Sequence, residues 1–481
     1  MLSTSGHVSG RRLAELLGAW HGSDRPSSAA LADAVRRLVL DGRLAPGTRL
    51  PAERELAGGL DVSRTLVVRA LDRLRDTGFA ESRRGAGSWA RLPGAAGGVQ
   101  SGGGSWLPGA DEQVLDLAQA TPAAPPELPA AVERASAALP GQLLGHGYQA
   151  RGLPVLRARI AEHFARRGLP TGPEQILVTN GAQHAFALAL RALVAPGERV
   201  LIENPTYPNA LEAVSGCHAV PVEVPMSERG WDGELLAATL QQAAPRAAYL
   251  IPDFQNPTGV RMDAEAREQL VRALHRSRTT AVVDETLVGI EFGDADPPPP
   301  VAAFDERVVT IGSASKLFWG GLRLGWLRGP ERFVQRVLAG RAALDLGSPV
   351  LEQLVLAELF ADAGTIAARR CDQARRRRDA LVEALRAYLP QWGFRAPEGG
   401  LSLWCDIGEP VSTRLAVVAE QHGVRIAPGP RFGVRGGFED RVRLPFTAPV
   451  PDVGDAVGRL AAADAAVRGR AAADPLTSPI V

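Results

Sequence analysis

The sequence predicts two folded parts of different class: a small helical head finished by a pair of short strands, and a large α/β body that ends in a smaller α+β domain. Three observations predict this. Apolar residues recur at helical spacing through residues 29–77 and give way to a short β-rich pair over 79–90. A Gly- and Ser-rich stretch over residues 92–112 then interrupts both patterns. Beyond it, short apolar runs alternate with helical segments, which is the signature of a largely parallel sheet covered on both faces.

A chain of 481 residues is too long for one compact core and suits two or three domains. No stretch reaches the ~18 uninterrupted apolar residues that span a bilayer, and the first ten residues are small and polar, so a cytoplasmic protein is expected. Cys217, Cys371 and Cys405 are far apart in sequence and lack paired spacing, which points to free thiols and to no metal site. Residues 1–91 hold fifteen arginines against ten acidic residues, a net of +5, whereas the whole chain is +1. A basic head on an acidic body points to a polyanionic partner for the head.

In the head, Ala29 to Leu40 has helical spacing, and Arg43-Leu44-Ala45-Pro46-Gly47-Thr48-Arg49-Leu50-Pro51 follows a turn. Two further helices, Ala52 to Gly59 and Ser63 to Thr77, flank Leu60-Asp61-Val62, a turn short enough to set them at a steep angle. Phe79 to Ala90 reads as a two-stranded wing with Arg83-Arg84-Gly85-Ala86-Gly87 at its tip. These motifs (PGTRLP, ERELA, VSR opening a helix, and the GAG tip) resemble the winged-helix DNA-binding domain of the GntR family, expected over residues 13–91. The resemblance implies that Ser63, Arg64 and Thr65 open the recognition helix, that Arg49 and Arg54 hold backbone phosphates, and that Arg83 and Arg84, with Gly85 and Gly87, approach the minor groove. Leu66 and Arg69 depart from the family pattern, where a threonine and an acid are usual.

Residues 92–112 are expected to be a flexible linker with an r.m.s. reach of roughly 25 Å. A large domain is expected over 113–330, with strands at Ile176 to Thr179, Arg199 to Ile202, Ala247 to Ile251, Thr280 to Asp284, Val308 to Ile311 and Leu324 to Leu327. A smaller α+β domain is expected over 331–465, with strands at Gly400 to Ile407 and Val442 to Phe446, and a disordered tail over 466–481.

Lysine usage carries the chemistry. Of 54 lysines and arginines, one is a lysine, Lys316. Arginine replaces lysine in salt bridges but stays protonated above pH 12, so a site that needs an amine nucleophile must keep its lysine. Lys316 ends Gly312-Ser313-Ala314-Ser315-Lys316 just after a strand, where the Ser313 and Ser315 hydroxyls can bond a phosphate. It is read as the Schiff-base amine for pyridoxal 5'-phosphate (PLP). Arg323 returns to that loop to clamp the phosphate. Asp284 closes an apolar strand, where a carboxylate needs a cation such as a protonated pyridine nitrogen. Asn256 is placed to donate to the phenolic oxygen and Tyr207 to stack on the ring, while Gly181, Ala182 and Gln183 offer a helix N-terminus to the phosphate.

Together these features resemble fold-type I aminotransferases, and with the winged helix in front the chain is similar to the MocR group of GntR regulators. That resemblance implies that Tyr148 reaches the neighbouring subunit's phosphate in a head-to-tail, domain-swapped homodimer, and that Arg443 grips the carboxylate of an amino ligand. Thr286 stands where the family often has tyrosine as a second contact to the phenolic oxygen. The function expected is a DNA-binding regulator that senses PLP or an amino compound through an aldimine on Lys316. A working aminotransferase with an accessory head is the alternative.

Overall fold

The computed structural model describes residues 8–18, 20–21, 26–40, 43–44, 48–83, 87–91, 114–293 and 296–472. The chain divides into two compact units, Met1–Gln113 and Val114–Val481.

In the first unit, helices α1 (Gly10–Leu17), α2 (Ser28–Leu40), α3 (Glu53–Leu60) and α4 (Arg64–Asp76) precede an antiparallel pair, β1 (Ala80–Arg83) and β2 (Gly87–Ala90). The expected α2, α3, α4 and wing are thus present. The head begins earlier than the expected residue 13, because Val8 and Leu13 are buried in its core and the Gly10 N–H donates to Glu55 Oε1 at 2.6 Å. Ser63 caps α4 by accepting from the Leu66 N–H at 3.2 Å, as a hydroxyl ahead of a helix should. Arg49 bridges to Trp89, which lays its segment along the wing.

Among the described residues of the second unit, eight strands form the main sheet. Their spatial order is β4 (Ile176–Thr179), β11 (Gly325–Arg328), β10 (Val309–Ser313), β9 (Thr280–Asp284), β8 (Ala247–Leu250), β5 (Arg199–Asn204), β6 (Val220–Ser227), β7 (Gly230–Trp231). From β10 to β6 every pairing is parallel, and β11 runs antiparallel to both its neighbours. Buried strands that are apolar on both faces explain why continuous rather than alternating runs marked them in the sequence. Helices α5 (Leu128–Ala138), α6 (Pro154–Arg166), α7 (Ala182–Leu193), α8 (Pro208–Gly216), α9 (Gly233–Ala243) and α10 (Ala264–Ser277) fill the connections.

Several boundaries differ from expectation. Helices α11 (Glu331–Arg341) and α12 (Val350–Ala361) pack on the main sheet, since Phe333, Val334 and Val337 share a core with Val309 and Leu327, and Leu354, Leu356 and Leu359 share one with Ile176 and Val178. The smaller domain therefore starts after them, at α13 (Ala363–Tyr388), and not at residue 331. Its five-stranded sheet has the order β12 (Gly393–Phe394), β13 (Ser402–Asp406), β15 (Arg441–Pro445), β14 (Val424–Pro428), β3 (Leu115–Leu117). Strand β3 was expected in the large domain, but it pairs in parallel with β14. Helix α14 (Ser412–Gln421) covers this sheet, and α15 (Val450–Ala472) runs through the first seven residues of the expected tail. Val467 is 1% exposed in the small-domain core and Arg468 pairs with Asp464, so the start of the expected tail is held as helix by burial and an ion pair. The expected linker over 92–112 and the tail from 473 lie outside the described residues.

Candidate functional site

Parallel strands that end together present their next residues to one crevice. Ile311 of β10 is level with Asp284 of β9, so Asp284 and the Ser313–Lys316 turn leave the sheet side by side. Strand β10 runs two residues further than expected, to Ser313, and Lys316 sits in a short π-helical turn over Ser315–Trp319.

Asp284 is buried, and both its oxygens are engaged. Oδ2 accepts from the Tyr249 hydroxyl at 2.7 Å, and Oδ1 accepts from the Thr286 N–H at 2.8 Å. Tyr249 was not singled out in the sequence; it lies inside β8, where an aromatic residue reads as core. The Lys316 amine donates to the Ala120 carbonyl at 2.9 Å. Burial, helped by the Arg443 guanidinium, lowers this amine to about 8, while Asp284 pulls the other way. Arg443 is buried over the Phe432 ring, 5.1 Å from its centre, and donates to Asn256 Oδ1 at 3.3 Å and to the Ala118 carbonyl. Burial brings its guanidinium down to about 10.

At the other end of the crevice Gly181 precedes α7 with φ 88°, and its carbonyl accepts from Thr179 Oγ1. A side chain on Gly325 would strike Gly181 C and Ala182 N at 2.6 and 2.7 Å, so only glycine lets β11 approach this turn. The first-turn N–H groups of α7 have no partner within their own helix. Gln183 Nε2 donates to the Asn209 carbonyl at 2.7 Å, and Asn209 Nδ2 donates to the Tyr207 hydroxyl at 2.9 Å. Ser313 Oγ donates to Ser315 Oγ at 2.9 Å. Arg323 is exposed, with φ 53°, and its Nη2 lies 3.9 Å from where a Gly181 Cβ would stand.

Lys316, Asp284, Arg443, Asn256, Thr286 and Tyr207 are thus brought into one region by contact or mutual field, and Gly181 and Arg323 lie close together. Tyr148 is 63% exposed, bonds to His146 and is not joined to this cluster.

A family model described as aminotransferase class I and II matches residues 112–460. The chain belongs to that family. A second model, for bacterial regulatory proteins of the gntR family, matches residues 27–89. The chain is 27% identical over 415 residues to the uncharacterized HTH-type transcriptional regulator YisV of Bacillus subtilis (strain 168), covering 79% of this chain and 84% of the regulator. It is 29% identical over 334 residues to the probable rhizopine catabolism regulatory protein MocR of Rhizobium meliloti, covering 64% and 66%. Among solved structures it is similar to LysN, an alpha-aminoadipate aminotransferase from Thermus thermophilus complexed with N-(5'-phosphopyridoxyl)-L-leucine. That likeness has a TM-score of 0.68 at 28% identity and covers 75% of this chain and 94% of LysN. The protein therefore joins a GntR-type winged helix to a fold-type I aminotransferase body, the MocR-type architecture, and its body is of a PLP-dependent fold family.

On the head, Ser63, Arg64, Thr65 and Arg69 are exposed at the start and along one side of α4, and Arg54 is exposed on α3. Arg64 pairs with Glu53 at 2.8 Å, an arrangement the sequence did not disclose. Arg49 lies over the Trp89 ring, 5.7 Å from its centre, and its Nε lies 3.3 Å from where a Gly87 Cβ would stand. Leu66 packs against the head core, which explains an apolar residue where a phosphate donor is usual. Arg83 closes β1, whereas Arg84 and Gly85 lie outside the described residues.

Proposed function

We propose that the protein is a transcriptional regulator whose winged head binds an operator in duplex DNA and whose body holds PLP at Lys316 to read the level of PLP or of an amino compound. The observation that carries this reading is the chain's one lysine, set beside Asp284 and Arg443 in a body attached to a DNA-binding head. The residues fit the cofactor: Thr286 Oγ1 and Arg443 Nε are buried without partners, and the first turn of α7 supplies amides suited to a phosphate.

When bound, PLP supplies a carbonyl carbon for amines and an electron-withdrawing ring. Lys316 offers the attacking amine, and its lowered pKa leaves far more of it unprotonated near neutrality than an ordinary lysine would. Asp284, fixed by Tyr249 and by the Thr286 amide, holds a negative charge for the ring nitrogen. Asn256 is the donor for the phenolic oxygen, and Tyr207 stacks. Gly181, Ala182, Gln183, Ser313, Ser315 and Arg323 hold the phosphate. Arg443 takes the carboxylate of the amino ligand by releasing the Ala118 carbonyl.

A homodimer completes this reading. Leu143 and Leu144 are 69% and 95% exposed on the segment that also presents Tyr148, and a second copy would cover them while receiving Tyr148 at its phosphate. On the head, Arg49, Arg54, Ser63, Arg64, Thr65 and Arg69 face the DNA, with Arg83, Arg84, Gly85 and Gly87 at the wing.

The test pairs a footprint on DNA flanking the protein's own gene with a multiple-turnover assay over a panel of amino donors and keto acceptors. Protection that changes with PLP or an amine supports the regulator. Sustained turnover with no footprint reverses the reading in favour of a metabolic aminotransferase.

A further inference from the structure

Glu203 is a buried acid that the reading above does not use. It is 0% exposed, one residue before the end of β5. Its Oε1 accepts from Trp231 Nε1 at 2.9 Å and from the Ile251 N–H at 3.0 Å, and its Oε2 accepts from Gln255 Nε2 at 3.0 Å. All three donors are neutral. Burial pushes the Glu203 carboxyl up to about 7 against the pull of these bonds, and the Asp284 charge adds to the rise.

Gln255 extends the contact. Its Nε2 also donates to the Pro205 carbonyl at 2.8 Å, and its Oε1 accepts from the Thr258 N–H at 3.0 Å and from Thr258 Oγ1 at 2.8 Å. At 1% exposure the amide has no solvent to turn to. One carboxylate–amide pair therefore fastens the chain at residues 203–205 to the chain at 251–258. Tyr207 lies two residues from the first anchor, and Asn256 is adjacent to the second.

We propose that Glu203, acting through Gln255, is a positioning residue that fixes Tyr207 and Asn256 relative to one another across the cofactor site. The inference rests on the reading of that site as a PLP site. The hydrogen-bond sense makes it sharply testable. Above about pH 7 Glu203 is a carboxylate that only accepts, so Gln at 203 must turn an N–H toward another donor. If Gln255 flips to receive that N–H, its own Nε2 then faces the Thr258 amide, and the conflict moves but does not vanish.

The experiment titrates full-length protein with PLP, following visible absorbance and the circular dichroism induced in the bound cofactor, alongside thermal melting of the PLP-free protein. Glu203→Gln is expected to remain folded, to bind PLP roughly tenfold more weakly, and to show a weakened induced band. Glu203→Gln combined with Gln255→Glu restores an acceptor facing the donors at Thr258 and between the two side chains but leaves the Pro205 carbonyl without its donor, and is expected to recover part of both signals. Wild-type affinity and band shape in a folded Glu203→Gln protein would overturn the proposal, as would a lowered melting point with cofactor binding unchanged. If Glu203→Gln does not fold, Gln255→Met severs the same tie with the carboxylate left in place, and the same outcomes decide. A wild type that shows no PLP band at all refutes the cofactor reading instead.

Discussion

Lys316 and Glu203 are two titratable side chains whose surroundings pull them in opposite senses. A lysine lowered to about 8 is unprotonated at neutral pH on the order of a hundredfold more often than one at its ordinary value. The rate of PLP attachment is therefore expected to climb with pH, pass its midpoint near 8 and level off above it. Borohydride reduction followed by peptide mass mapping should place a pyridoxyl group on Lys316 and leave none in Lys316→Arg. Glu203 has its folded value raised to about 7 from 4.5, so the folded state holds a proton that the unfolded chain has already lost. Stability should be untouched below pH 4.5, fall between 4.5 and 7 by on the order of 3 kcal/mol, and stay level above. Denaturant titrations across that window should show the slope, and Glu203→Gln should flatten it. An equal slope in the variant would mean that another group carries it. The Lys316 assignment needed no structure, because one amine among 54 basic residues is conspicuous. Glu203, Gln255 and Tyr249 were not legible, because each gains its meaning from partners 28 to 52 residues away.

Helix α4 shows how an element is set by its ends. Ser63 caps it, Leu66 turns inward, and Arg64 is held by Glu53 of α3. An exposed ion pair of this kind contributes little stability, so Arg64 can exchange Glu53 for a phosphate at small cost. Arg64→Ala is expected to weaken operator binding and to lower the log–log salt slope by ~0.9. Fluorescence anisotropy over a salt series reads both, and identical slopes would remove Arg64 from the interface. Helix α15 is an element whose end was misread from composition. Its alanine-rich polar finish resembles a disordered tail, yet Val467 is buried and Arg468 joins Glu409 and Asp464. Truncation after residue 465 is expected to cost about 1–3 kcal/mol through the lost burial and ion pairs. A truncated chain with the wild-type melting curve would show that those last turns do no structural service.

For the whole molecule the open quantity is coupling between ligand and operator. Two sites in one regulator exchange typically 1–3 kcal/mol, or roughly 5–150-fold in affinity, and the exchange is reciprocal. Operator affinity measured with and without PLP, and with amino compounds, should move within that range, and the same DNA should shift PLP affinity by the same factor. The proposed homodimer gives a second test at this scale. Leu144→Asp places a charge on a 95% exposed leucine, so a monomer is hardly perturbed while a dimer that covers it is split. Sedimentation should show the wild type at twice the monomer mass and the variant near one, and matching profiles would exclude this face from the contact.

The sequence alone determined the winged head and the strand–helix alternation of the body, and it singled out Lys316 as the one lysine. Local signals suffice for these: apolar period, turn and cap residues, and an amine that arginine cannot replace. Tertiary structure decided that Leu115–Leu117 completes a sheet with strands roughly 300 residues away, that α11 and α12 belong to the large domain, and that Glu203 and Gln255 bind two loops together. Pairing across long sequence separation and burial against a particular partner are properties of the folded chain, and no window of residues contains them.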